Sequence, residues 1–211
     1  MMSRNQIKLN SKQYLWTALW CIPFFTFIYG YTNWRAKMAR QTFSFVFDWE
    51  LDTPFIPWMI LPYMSLNLLV LAPIFFTNPG EIRRLGRAAA LATVIGGATF
   101  YLLPAPIAFI RPTDVPGWNF FFDIVWGLDG VNNTLPSMHI AFATLTVFML
   151  WKWLTNVWRG IFTAWLLFIM VAVIFTWQHH VMDIVAGFIL GVVSHVSIRV
   201  PGEASVFSRD I

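Results

Sequence analysis

Of the chain's 211 residues, 58% are hydrophobic, 18% aromatic and only 11% charged, against about a quarter charged in soluble domains. With a mean hydropathy of +0.63, this excludes an ordinary soluble domain and reads as a bilayer protein, long enough for about six spans of about 20 apolar residues. The formal charge of +4 does not argue for nucleic acid, because the cations are scattered through short loops, where the positive-inside rule accounts for them.

In chain order, the polar and basic stretch Met1 to Gln13 is followed by an apolar run without a small-residue cleavage site, which favours a first span over a removed signal peptide. That span runs from Tyr14 to Asn33, with Trp16, Trp20, Tyr29, Tyr31 and Trp34 towards its ends as interfacial belts. Its Cys21 is the single cysteine, so neither a disulfide framework nor a Cys-based zinc site is available. A mixed-charge loop, Arg35 to Asp52, leads to a second span from Pro54 to Phe76, closed by Thr77-Asn78-Pro79-Gly80. A basic loop, Glu81 to Arg87, precedes a third span from Ala88 to Ile110. Its small residues (Ala88, Ala89, Ala90, Gly96, Gly97) permit close packing, and Pro104 and Pro106 bend it or end it early. Arg111 to Thr134 is the longest loop. The fourth span starts near Ser137, the fifth covers Ile161 to Trp177 and the sixth His180 to Ile198. The expectation is a single all-α unit, residues 1–211, of six transmembrane helices.

Charge sets the orientation. With a cytoplasmic N-terminus, one side holds Arg4, Lys8, Lys12, Arg83, Arg84, Arg87, Lys152, Arg159, Arg199 and Arg209, and the other only Arg35, Lys37, Arg40 and Arg111. Ten of fourteen cations then lie inside, so both termini are expected in the cytoplasm. The Arg111 to His139 stretch and the Trp177 to Asp183 turn fall together on the outer side.

Those two stretches carry the chemistry. The N-termini of helices four and six face one surface, and their free N–H groups and partial positive charge suit an anion such as phosphate. Arg111 adds a cation with planar donors. His179 and Asp183 stand four apart on one helical face, so the carboxylate can accept from one ring nitrogen and leave the other for a substrate, while His139 from the other helix serves as general acid.

At these residues the chain resembles the type 2 phosphatidic acid phosphatase superfamily. The family pattern is Lys-x6-Arg-Pro, then Pro-Ser-Gly-His, then Ser-Arg-x5-His-x3-Asp; Arg111-Pro112, Pro136-Ser137-Met138-His139 and His179 with Asp183 match its parts. The resemblance implies that His179 attacks phosphorus and forms a phosphohistidine, that Asp183 orients it and that His139 protonates the leaving oxygen. Arg111 and Ser137 bind phosphate oxygens, with Met138 and Gln178 counted in the phosphate-binding set. It also implies a lipid phosphate substrate within the bilayer, with neither cofactor nor metal; together with the charge bias, the expectation is a multi-pass protein whose site faces the outer side, periplasmic or luminal, with a bacterial inner membrane and its periplasm as the expected setting. The family's Lys falls at Pro104 and its Ser-Arg at Ala172-Val173, so two cations are missing, and Met138 replaces the Gly. Met138 and the His179-His180 pair resemble a divergent branch containing inositol phosphorylceramide synthases. One Arg suits a phosphodiester better than a dianionic monoester, which favours transfer to an alcohol or lipid acceptor. Thr176, Gln178, Asn132 and Asn133 are candidates to replace the lost donors.

Plainer readings stand beside these. Arg111 can be an interfacial anchor, His180 packing, and His195 a structural residue. A metal or haem protein using His139, His179 and His180 would not need the Pro-Ser before His139 or Asp183 at its spacing. A transporter is disfavoured by the lack of a half-chain repeat and of mid-membrane charges.

Overall fold

The computed structural model describes residues 2–198, and over these the chain is all-α: it has helices and a single isolated bridge, Ala105 to Asn133, but no strand. The helices are α1 (Arg4–Lys37), α2 (Ile60–Met64), α3 (Leu66–Leu69), α4 (Pro73–Phe76), α5 (Pro79–Leu102), α6 (Asn119–Leu128), α7 (Met138–Leu150), α8 (Asn156–Phe175) and α9 (Val181–Ser197). Arg199 and Arg209, part of the orientation argument, lie outside the described residues.

Several boundaries differ from the hydropathy reading, each for a local reason. The polar N-terminus is helical, capped by Ser3, so that α1 is 34 residues long, about 51 Å. The expected second span is broken into a 3-10 turn at Pro57–Met59 and the short helices α2, α3 and α4, because Pro57, Pro62 and Pro73 each remove an N–H from the helical ladder. The expected basic loop at Glu81 to Arg87 is the start of α5, which Asn78 caps by accepting from the Glu81 N–H at 3.0 Å. The third span ends at Leu102 rather than Ile110: Pro104 and Pro106 follow, and Arg111 sits in an irregular segment. The long loop contains α6.

Among the described residues two helices, α5 and α8, are long and apolar enough by themselves to cross a membrane. Large apolar side chains are nonetheless exposed along several outward faces, among them Leu15, Leu19 and Phe27 of α1, Leu167 and Phe168 of α8, and Ile189 and Val193 of α9. The interior is built on Ile140, Ala143 and Val147 of α7, packed with Phe162, Leu166 and Ile169 of α8 and with Ile60, Tyr63 and Leu69. At one end of the bundle Glu81 pairs with Lys152 at 2.6 Å and Arg84 at 3.4 Å, and Arg84 also donates to the His195 carbonyl. Asn10 donates there to the carbonyls of Ile74 and Thr77. The candidate site occupies the opposite end.

Candidate active site

α7 starts where it does because Ser137 follows a proline and caps the helix, its Oγ accepting from the Ile140 N–H at 3.3 Å. The Ser137 N–H in turn donates to the Asp183 carbonyl at 3.0 Å, which locks the starts of α7 and α9 together. Gly187 makes this approach possible: a Cβ there would run into the Ser137 carbonyl. Met138 is 6% exposed and its sulfur packs where a Gly96 side chain would be, so its side chain fills the core and does not face a phosphate.

α8 ends in a Schellman arrangement, the Trp177 N–H donating to the Ile174 carbonyl and the Gln178 N–H to the Val173 carbonyl. The position that usually takes glycine is Trp177, with φ of 55°, a conformation costing an L-residue about 1–2 kcal/mol. Its ring is held by stacking on Phe109, with centroids 5.1 Å apart, and by donation from Nε1 to the Thr53 carbonyl at 3.0 Å. This tight exit delivers Gln178 and His179 to the start of α9.

His179 Nδ1 lies 3.4 Å from Asp183 Oδ2, an ion-pair separation rather than an aligned hydrogen bond. The same Asp183 oxygen accepts from the His180 N–H at 2.9 Å. A second carboxylate stands beside it: Glu50, fully buried, accepts from the Val181 N–H at 3.1 Å and from His180 Nδ1 at 3.0 Å. Because the Ala108 N–H donates to His180 Nε2 at 3.1 Å, the ring proton must be on Nδ1, where Glu50 accepts it. The start of α9, expected to offer free N–H groups to phosphate, is thus filled by the chain's own Asp183 and Glu50. No motif in the sequence marks Glu50; its only local signal is an acid placed among Phe45, Phe47, Trp49 and Leu51.

His139 Nε2 is 2.7 Å from the Tyr63 carbonyl, which can only accept, so Nε2 carries a proton. Its ring stacks on that of Tyr63 at 4.1 Å. The Tyr63 hydroxyl donates to Asp129 Oδ2 at 2.7 Å, and the Tyr29 hydroxyl to Oδ1 at 3.1 Å. Arg111 donates to the Asp129 carbonyl and to Gln178 Oε1, both at 3.3 Å. Burial pushes its guanidinium below the ordinary value, with Asp129 opposing. Gln178 therefore orients Arg111 rather than standing free, and its amide donates to the Thr176 carbonyl. Thr176 donates within α8 to Ala172, and Asn133 meets Thr32, so neither is a spare donor for the site.

These contacts, with the peptide link from Gln178 to His179, close a ring: His139, Tyr63, Asp129, Arg111, Gln178, His179, Asp183, Ser137 and back to α7. Three buried nitrogens in it or against it have no hydrogen-bond partner among the described residues: Arg111 Nε, Trp126 Nε1 and His179 Nδ1. The Arg111 guanidinium lies 5.7 Å from the Trp126 ring centroid. No group of three metal-ligating side chains occurs among the described residues.

No curated protein sequence matches the chain. The model of one protein family does, over residues 59–197, which includes α7, α8, α9 and every motif residue above. Members of that family are generally phosphatases or phosphotransferases, and with about two thirds of its length matched the chain belongs to the PAP2 superfamily.

Proposed function

We propose that this is a six-span membrane enzyme that hydrolyses or transfers a phosphate-linked group on a lipid, with its site on the outer, periplasmic face. The spans are α1, the broken segment from Pro57 to Phe76, α5, α7, α8 and α9. The observation that carries the reading is the closed ring of contacts, which joins His139, Arg111, His179 and Asp183 at the end of the bundle opposite Arg84 and Lys152. Unsatisfied donors beside Arg111 suit an incoming anion.

In the first step His179 Nε2 attacks phosphorus, with Asp183 against Nδ1 taking up the charge that develops on the ring. The bond from phosphorus to the lipid oxygen breaks, and His139, which enters this step as the imidazolium with Nε2–H kept on the Tyr63 carbonyl, gives that oxygen its second proton from Nδ1 and is left neutral. Arg111, with Ser137 and the backbone at the start of α7, binds the phosphate oxygens. In the second step water or an alcohol attacks the phosphohistidine, gives its proton to His139 and frees His179.

A head-group transferase acting on a phosphodiester is the second reading. It is favoured by the charge around Arg111, the one cation in the ring, which donates to the Asp129 backbone carbonyl and lies within the field of that residue's carboxylate. A donor with a single negative charge meets less repulsion there than a dianion.

The test uses labelled candidate lipids, with and without an alcohol acceptor. Wild-type protein releases phosphate or forms a new lipid; His179→Ala makes neither, His139→Ala is crippled, and both variants keep the wild-type melting curve. A fully active His179→Ala sinks the proposal, and the appearance of free phosphate or a new lipid separates hydrolysis from transfer.

A further inference from the structure

The last turn of α1 and the segment that leaves it carry Arg35, Lys37 and Arg40. These are three of the four cations that the six-span reading puts outside, where the charge bias disfavours them. The catalytic reading uses only the fourth, Arg111. Arg35 and Arg40 line a single concavity of about 570 Å³, together with Gln41, Phe43, Tyr101 and Pro104. It forms because the chain folds back across the end of α5, the Phe43 N–H donating to the Pro104 carbonyl at 3.0 Å.

Among the described residues neither guanidinium meets a carboxylate. Arg35 is instead held over the Tyr101 ring, 5.3 Å from its centroid. A guanidinium stacked on a ring keeps its in-plane N–H donors free, in the fork that matches phosphate oxygens. The other rim is apolar: Leu102 lines the concavity and is 69% exposed. Two unpaired guanidiniums, a polar cleft and an apolar margin in one place are the features of a lipid head-group site.

We propose that this concavity holds the phosphate of an anionic membrane lipid, with its acyl chains along the outer faces of α1 and α5. It is distinct from the catalytic ring, being joined to it by the segment that runs from Pro104 to Arg111. Inorganic phosphate shares the head-group chemistry but lacks the chains that the apolar rim would take.

Native mass spectrometry of the full chain, released from nanodiscs containing dioleoyl phosphatidylglycerol and dioleoyl phosphatidylcholine in equal parts, tests this. The wild type is expected to retain the anionic lipid in preference, by about tenfold or more for each charge-assisted contact. Arg35→Ala/Arg40→Ala loses that preference, Arg35→Lys/Arg40→Lys keeps part of it, and Arg111→Ala keeps all of it. The alanine pair retaining as much anionic lipid as wild type overturns the proposal. So does loss of the lipid in Arg111→Ala alone, which moves binding to the catalytic ring. Displacement by millimolar inorganic phosphate overturns the lipid assignment in favour of free phosphate. Turnover is not read, so a failed catalytic reading and a failed lipid site give different results.

Discussion

Replacing Glu50 by alanine removes a carboxylate whose Oε1 accepts from the Phe47 N–H at 3.4 Å and whose Oε2 serves two further donors in a dry place. The latter two, the Val181 N–H and His180 Nδ1, lie within 3.1 Å of that oxygen, and His180 is 2% exposed. Hydrogen bonds to a charged group contribute about 1.5–3 kcal/mol each, and breaking a buried polar pair from one side costs about 3–5 kcal/mol. A loss of about 3–5 kcal/mol is expected, which for a domain of this size lowers the melting midpoint by roughly 6–20 °C. The assay is thermal unfolding in detergent of Glu50→Ala beside Asp48→Ala and Asp52→Ala. Those two carboxylates are exposed in the same 3-10 turn and should stay within about 0.5 kcal/mol of wild type. A Glu50→Ala midpoint equal to wild type, or an equal drop in the two controls, refutes the reasoning.

Other substitutions probe other joints of the site. Gly187→Ala pushes a methyl group into the Ser137 carbonyl; it should cost about 1–3 kcal/mol and lower turnover with it, measured by unfolding and by lipid assay. Trp177→Gly relieves about 1–2 kcal/mol of backbone strain but loses the stack on Phe109 and the bond to Thr53. Since large-to-small changes cost about 3–5 kcal/mol, net destabilisation is expected in a melting curve. Arg111→Lys keeps the charge and loses the fork that reaches Gln178 and Asp129 together, so KM should rise about tenfold with a smaller change in kcat. Incubation with a chelator should leave turnover unchanged; its loss would reopen the metal reading.

The helices that carry the motifs were legible to within a few residues because their ends have strong local signals. Pro136-Ser137 starts α7, and the polar run Thr176 to His180 separates α8 from α9. The segment from Pro54 to Phe76 is apolar enough to read as one run, yet it is broken into short helices, because the missing N–H of a proline interrupts a helix however apolar its neighbours are. The nearness of His179 to Asp183 is suggested by their spacing, but not by way of a shared helical face: His179 precedes the extended N-cap His180 and lies outside α9, so the turn after α8 brings its ring to the carboxylate. Tyr29, Tyr63, Asp129 and Glu50 were not legible, since each meets its partner across 66 or more residues of chain. Nothing local marks such a contact. The same distance hid the use of Gln178, which lies 67 residues from the Arg111 it orients.

Trp177, in a conformation that glycine would adopt more easily, separates two kinds of conservatism at the site. Its backbone sets where the chain leaves α8, and its ring ties that exit to Phe109 and Thr53, which lie before and after the second segment in the chain. A local strain is therefore secured by remote parts of the molecule. Residues 1–58, which precede the matched family region, supply Thr53, Glu50 and Tyr29. A fragment cut to the family region would keep every motif residue and lose the buttresses that aim them, so recombining that region with a foreign N-terminal segment should give an intact motif on a slack frame.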